Sequence, residues 1–243
     1  MSELGLTTML IGLVLAGYAV LASVLGALKN YNSLIDSGRY ATYLVMMALV
    51  ISILCLITSF LDHDFSVKYV YGHSSLATDR IYTWVAIYAG NEGSLLFIAA
   101  VFSVISAIAV RFSPLKIRIS LPYTNAVLML IMVFFLSVMA FLANPFATFD
   151  TIPMDGQGIN PLLLHPGMFA HPPILMTGLV LVSVPFAFAL GALLSNRVED
   201  DWVDVGRVWG ILAWVTLGTG LLLGSWWAYT ILGWGGYWAW DPV

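Results

Sequence analysis

The chain has 243 residues, 60% of them hydrophobic and 9% charged, with a net charge of −4 and a mean hydropathy of +0.94. So few polar groups cannot cover a soluble domain, which leaves lipid as the solvent, where only helices or closed barrels satisfy the backbone. The modest charge excludes a nucleic-acid partner, and a single cysteine excludes a structural disulfide.

The apolar segments run for roughly twenty residues without period-two alternation, which predicts an all-α integral membrane protein. Six transmembrane helices are expected, over residues 5–28, 40–61, 81–110, 122–143, 171–195 and 208–232. The first lacks a basic leader, carries only Glu3 as an early charge, and is too long for a signal peptide, so it reads as a retained span. Cys55 lies inside the second span, outside any Cys-x-x-Cys-His context, and reads as packing. The chain itself therefore cannot carry haem through two thioethers. No long linker or repeat divides residues 1–243, which read as one transmembrane domain.

Charge sets the orientation. Lys29, Arg39, Arg111, Lys116, Arg118, Arg197 and Arg207 collect on one side, against Lys68 and Arg80 on the other. By the positive-inside rule the N-terminus lies outside, together with loops 62–80 and 144–170. The four histidines, His63, His73, His165 and His171, then share that outer side, and imidazole is the side chain best suited to haem iron.

Taken in chain order, His63 sits between Asp62 and Asp64 and reads as a solvated loop residue. Next comes Tyr69-Val70-Tyr71-Gly72-His73-Ser74-Ser75. Gly90-Asn91-Glu92-Gly93-Ser94 follows, about ten residues into the third span. A carboxylate there is costly unless paired or hydrated, which makes Glu92 a candidate functional residue. It serves either as a structural polar contact or in a proton- or propionate-related role, and His73 is a second candidate for ligation or donation. Loop 144–170 enters the fifth span through His171-Pro172-Pro173. Proline suits the first helical turn, which puts His171 near an N-cap, as an axial ligand or as a simple cap. His165, beside Pro166, is a weaker ligand candidate.

The chain ends in a dense aromatic run. Trp226, Trp227, Tyr229, Trp234, Tyr237, Trp238 and Trp240 fall within fifteen residues, interleaved with Gly235 and Gly236 and followed by Asp241 and Pro242. An aromatic belt is usually sparser than this. Glycine lets the backbone approach a flat ligand closely, so the run suits a porphyrin platform better than an anchor.

The segment Trp234 to Pro242 resembles the tryptophan-rich "WWD" signature of haem-handling proteins in cytochrome c biogenesis. With Glu92-Gly93-Ser94, His73-Ser74, Asp155-Gly156, Asn160-Pro161 and His171-Pro172-Pro173, it resembles the CcmF family of haem lyases over about residues 66–243. The resemblance implies a protein that takes haem b from a haem chaperone and joins its vinyl groups to the Cys thiols of Cys-x-x-Cys-His in an apocytochrome c. A thiol-presenting factor would supply that acceptor. It also implies that the haem lies on Trp226, Trp227, Trp234, Gly235, Gly236, Tyr237, Trp238, Trp240 and Asp241, with His171 as one axial ligand to its iron. Positioning, with no catalytic residue assigned, would supply most of the catalysis.

The resemblance places the protein in the bacterial inner membrane with its haem site facing the periplasm, or in the mitochondrial inner membrane. Tyr237 and Ala239 stand where the family usually has aromatic residues, Tyr237 in place of Trp. Asn91 and His165 also depart from the family pattern, so no role carries over to them. The family continues past this signature, so the chain reads as part of a longer or split protein whose C-terminal portion is a partner. Two other readings remain at this level: a non-catalytic scaffold of the maturation complex, and a proton- or ion-translocating respiratory subunit.

Overall fold

The computed structural model describes residues 1–198 and 201–233. Among these the regular structure is helical, apart from one isolated antiparallel bridge between Val67 and Thr148. Six helical stretches are long and apolar enough to cross a membrane, as the hydropathy pattern predicts.

The first two, α1 (Ser2–Leu28) and α2 (Asn32–Leu61), form an antiparallel pair. Two hydrophobic helices gain nothing from each other's apolar surface in lipid, so close backbone approach must hold them together. The inward stripe of α1 is accordingly small apart from Met9: Gly5, Gly12, Ala16, Ala19, Ala22, Ser23 and Gly26. A short helix α3 (Lys68–His73) and a shorter α4 (Thr83–Ala86) follow. Then come α5 (Asn91–Arg111) and α6 (Leu121–Phe141), with α6 packing on α1, α2 and α5.

A polar junction pins α6 to the first pair. Buried Asn125 donates from Nδ2 to Ser23 Oγ (2.9 Å) and accepts at Oδ1 from Thr42 Oγ1 (2.8 Å). Without these bonds the buried groups would keep at most the longer contacts that Thr42 Oγ1 (3.3 Å) and Asn125 Nδ2 (3.4 Å) make to Gly38 O, a poor exchange in a low-dielectric interior. Replacing Asn125 by leucine is therefore expected to destabilise the bundle by about 1–3 kcal/mol. The check is the detergent or urea midpoint against wild type; an unchanged midpoint would remove the junction from the account.

Two predicted spans differ in detail. The third, expected to run unbroken over 81–110, is interrupted: after α4 the chain turns through residues 87–90 and restarts as α5 at Asn91. Gly90 there is extended (φ −130°), and the Tyr69 hydroxyl reaches in from α3. That hydroxyl accepts from Gly90 N (2.9 Å) and donates to Ile87 O (3.1 Å), satisfying groups a continuous helix would pair internally. The fifth span is α7 (His171–Leu181) followed by α8 (Ser183–Leu194), broken at Val182. Pro185 has no N–H to offer the carbonyl four residues back, which accounts for the break.

The sixth span, α9 (Asp201–Ile231), crosses α7 with backbones in near contact. A Cβ on Gly178 would come within 2.6 Å of Leu217 Cα, and one on Gly220 within 2.7 Å of Leu175 Cα. Only glycine at both positions permits this crossing. It brings the end of α9 beside the start of α7. Much of the rest of α9 has no partner among the described residues: Trp214, near mid-helix, is 77% exposed.

Candidate functional site

Helix direction gathers the start of α7, the end of α9, α3, α4 and the start of α5 at one end of the bundle. The long loop 144–170 stitches them together. Gln157 N donates to Tyr71 O (2.8 Å) and Leu76 N to Asp155 Oδ1 (2.8 Å), while Tyr88 Oη donates to Met168 O (2.9 Å). The basic residues Lys116 and Arg207 lie at the other end, paired with Asp201 and Asp204.

His171 is the first residue of α7, one position inside the helix, with Ala170 at the cap. Its Nδ1 lies 2.8 Å from Gly220 O on α9. A carbonyl only accepts, so Nδ1 carries the proton and Nε2 keeps its lone pair. Nε2 has no hydrogen-bond partner among the described residues. The ring stacks nearly parallel on Trp227, at 12° with centroids 6.4 Å apart. It also occupies the space over Gly224, where a Cβ would overlap it. A proton-bearing nitrogen fixed by a backbone carbonyl, with the other nitrogen left bare, is the arrangement metal-binding histidines require. The structure therefore fits His171 as an iron ligand and gives it no capping bond.

His165 has the opposite arrangement. Its Nδ1 accepts from Gly167 N (3.0 Å), and its Nε2 lies 3.3 Å from Thr230 Oγ1. The ring is 5.0 Å from Trp226. Both nitrogens are engaged, so the weaker candidate of the pair lacks a free lone pair for iron. Trp227 is held separately, its Nε1 lying 3.3 Å from Leu162 O. The other members of the aromatic run, Trp234, Gly235, Gly236, Tyr237, Trp238, Trp240 and Asp241, lie outside the described residues.

Glu92 departs from expectation. It sits in the first turn of α5, half-buried, at the N-terminal end of the span and not ten residues into it. A carboxylate at a helix N-terminus is stabilised by the free N–H groups and the helix dipole, so the cost assigned to a mid-span charge does not arise. Its nearness is felt by Tyr69, whose phenol is pushed up chiefly by burial and further by the Glu92 charge.

His73 donates from Nδ1 to Tyr69 O (2.9 Å) and stacks on the Tyr69 ring (4.4 Å), with its Nε2 edge against Gly90. It belongs with Tyr69 to the support of the α4–α5 turn. His63, expected in solvent, is half-buried against Phe65 (5.9 Å) in a left-handed turn (φ 50°), its buried Nδ1 unpaired.

Tyr88 fixes the turn before α5 to the turn before α7. Burial pushes its phenol up to about 12. Stability owed to the neutral phenol is present below the unfolded value near 10 and is lost as pH rises through about 12. The stability gap between wild type and Tyr88→Phe is thus expected to hold below pH 10 and to narrow above it, read from unfolding midpoints. A gap constant to pH 12 would contradict the burial assignment.

Comparison with known proteins places this geometry. The cytochrome c assembly protein family matches residues 88–243. The cytochrome c-type biogenesis protein CcmF of Pseudomonas aeruginosa is 38% identical over 99% of this chain and 37% of its own length. NrfE of Haemophilus influenzae, also a cytochrome c-type biogenesis protein, is 34% identical over 99% of this chain and 38% of its own. A solved structure, cytochrome c haem lyase CcmF, superposes with a TM-score of 0.85 at 31% identity, covering 99% of this chain and 38% of the other. The likeness thus extends ahead of residue 66, and the chain spans a little over a third of the length of the relatives it matches. On sequence and fold together, this chain belongs to the cytochrome c assembly protein family.

Proposed function

We propose that the chain forms one wall of the haem site of a CcmF-type cytochrome c haem lyase. The observation that carries the reading is His171, with Nδ1 tied to Gly220 O, Nε2 bare, and its ring parallel to Trp227. The substrate is haem b, delivered by a haem chaperone and received by the Cys-x-x-Cys-His thiols of an apocytochrome c that a thiol-presenting factor offers. When bound, haem supplies the vinyl groups that the thiols add to.

The chain's own residues do the positioning. The α7–α9 glycine crossing sets the height of His171, the Gly220 carbonyl sets its tautomer, and Trp227 sets its ring plane. Trp226 and Trp227 offer ring faces to the haem, and the same role is assigned to Trp234, Gly235, Gly236, Tyr237, Trp238, Trp240 and Asp241, which follow in sequence. His73 supports the neighbouring turn through Tyr69, and Glu92 lies at the start of α5 beside it. The site faces the periplasm from the bacterial inner membrane, is bathed by lipid at its edges, and is completed by the portion of the lyase that the relatives carry outside the matched length. Glu92 at a helix end leaves the respiratory-subunit reading without its mid-span carboxylate.

The test is thioether formation. Membranes carrying the chain with the rest of the lyase are supplied with haem and an apocytochrome, and covalent haem is read on a denaturing gel. Replacing Trp227 by alanine is expected to lower the covalent product about fivefold or more. Product equal to wild type would favour the non-catalytic scaffold.

A further inference from the structure

His165 and His171 lie six residues apart and are held in opposite tautomers, and only one of them is left with a free lone pair. The fixed state of His165 follows from its neighbours. The Gly167 amide can only donate, so Nδ1 must accept. Thr230 uses its single hydroxyl proton on the Trp226 or Trp227 carbonyl, both at 3.0 Å, so its oxygen is left to accept from Nε2–H. The imidazole is therefore neutral, with its proton on Nε2.

This ring joins two elements. Through Nδ1 it caps the 3₁₀ turn Pro166–Phe169 that leads into α7. Through Nε2 and its face it holds Thr230 and Trp226, the last turn of α9. Trp226 and Thr230 flank Trp227, whose ring orients His171.

We propose that His165 is a positioning residue: a neutral-imidazole latch that fixes the aromatic end of α9 against the entrance of α7. The proposal rests on the haem-site reading above only for what the latch serves, not for its existence. Proton uptake puts a second N–H on Nδ1, facing the Gly167 N–H across 3.0 Å, so the cap is lost and the latch loosens. The groups meeting the ring are the Gly167 amide from its own turn and the Thr230 hydroxyl and Trp226 indole from α9. No carboxylate, lysine or arginine among the described residues forms an ion pair with it. The other titratable groups at this entrance are His171, which faces Gly220 and Trp227 instead, and the Tyr88 phenol, which donates to Met168 O. Protonation of the ring therefore opens the latch.

The experiment has two arms, both on the chain with the rest of the lyase in detergent. In the first, without haem, the protein carries 5-fluorotryptophan and the Trp226 resonance is identified by its loss in Trp226→Phe. The wild-type resonance is expected to shift on acidification. In His165→Asn it is expected to stay fixed, because the amide oxygen caps Gly167 at every pH. A wild-type resonance that does not move, or an His165→Asn resonance that still does, overturns the latch and leaves the haem reading untouched.

In the second arm, haem retention is compared at pH 7.5 and 5.5. The wild type is expected to lose about fivefold more haem on acidification than His165→Asn, both keeping His171. Equal losses in the two proteins overturn the positioning role even if the resonance titrates. Haem retention unchanged in His171→Ala would instead overturn the haem-site reading itself.

Discussion

Replacing His171 by alanine is expected to lower haem retention by the assembled lyase at least about tenfold while leaving the membrane bundle folded. The magnitude follows from removing an axial ligand whose second nitrogen is already fixed by Gly220 O at 2.8 Å. The fold survives because His171 provides no cap to α7 and fills no buried core position. Pro172 and Pro173 keep the first turn in shape without it. The readout is a pyridine hemochrome assay beside a thermal or detergent midpoint. A fall in haem together with a large fall in stability would make His171 a structural residue.

Replacing Gly224 by valine is expected to cause a comparable loss of haem without touching any ligand. A side chain at 224 must occupy the volume of the His171 ring, which then swings away from Gly220 O and from the face of Trp227. Helix α9 itself does not suffer, since glycine in a helix interior is worse than alanine by about 0.5–1 kcal/mol and still somewhat worse than valine. Haem should therefore fall about tenfold with stability unchanged or slightly higher. The alanine variant should show a smaller loss, because a methyl group displaces the ring less. Normal haem content in Gly224→Val would mean that the ring's packed position is unrelated to binding.

The six spans were legible because each needs only a continuous apolar run, a local property of the chain. The break at Val182 was also legible in principle, since Pro185 is a local signal that the hydropathy pattern hides. The break at 87–90 was not, because its cause is the Tyr69 hydroxyl arriving from another segment. Without that partner, Gly90 and Gly93 read as small residues within one helix, and Glu92 appeared to sit deep in the span.

The site divides in the same way. His171-Pro172-Pro173 announces an ordered histidine at a helix start, and its neighbourhood to Trp226 and Trp227 was expected from topology. What holds its ring is non-local. The close approach at Gly220 and Gly224 depends on which helix they meet, and that is set by the α7–α9 crossing. The same holds for His165: sequence marks only a histidine before a proline, and its tautomer follows from Thr230, sixty-five residues later.

Imidazole rescue tests the central claim most directly. The lyase is assembled with His171→Gly, which leaves the ring's volume vacant, and haem is followed in the visible spectrum as free imidazole is added. The account predicts low haem at the start, and recovery of a wild-type-like imidazole-ligated spectrum as the added base takes the place of Nε2. A His171→Gly protein that holds wild-type haem before any imidazole is present would contradict it.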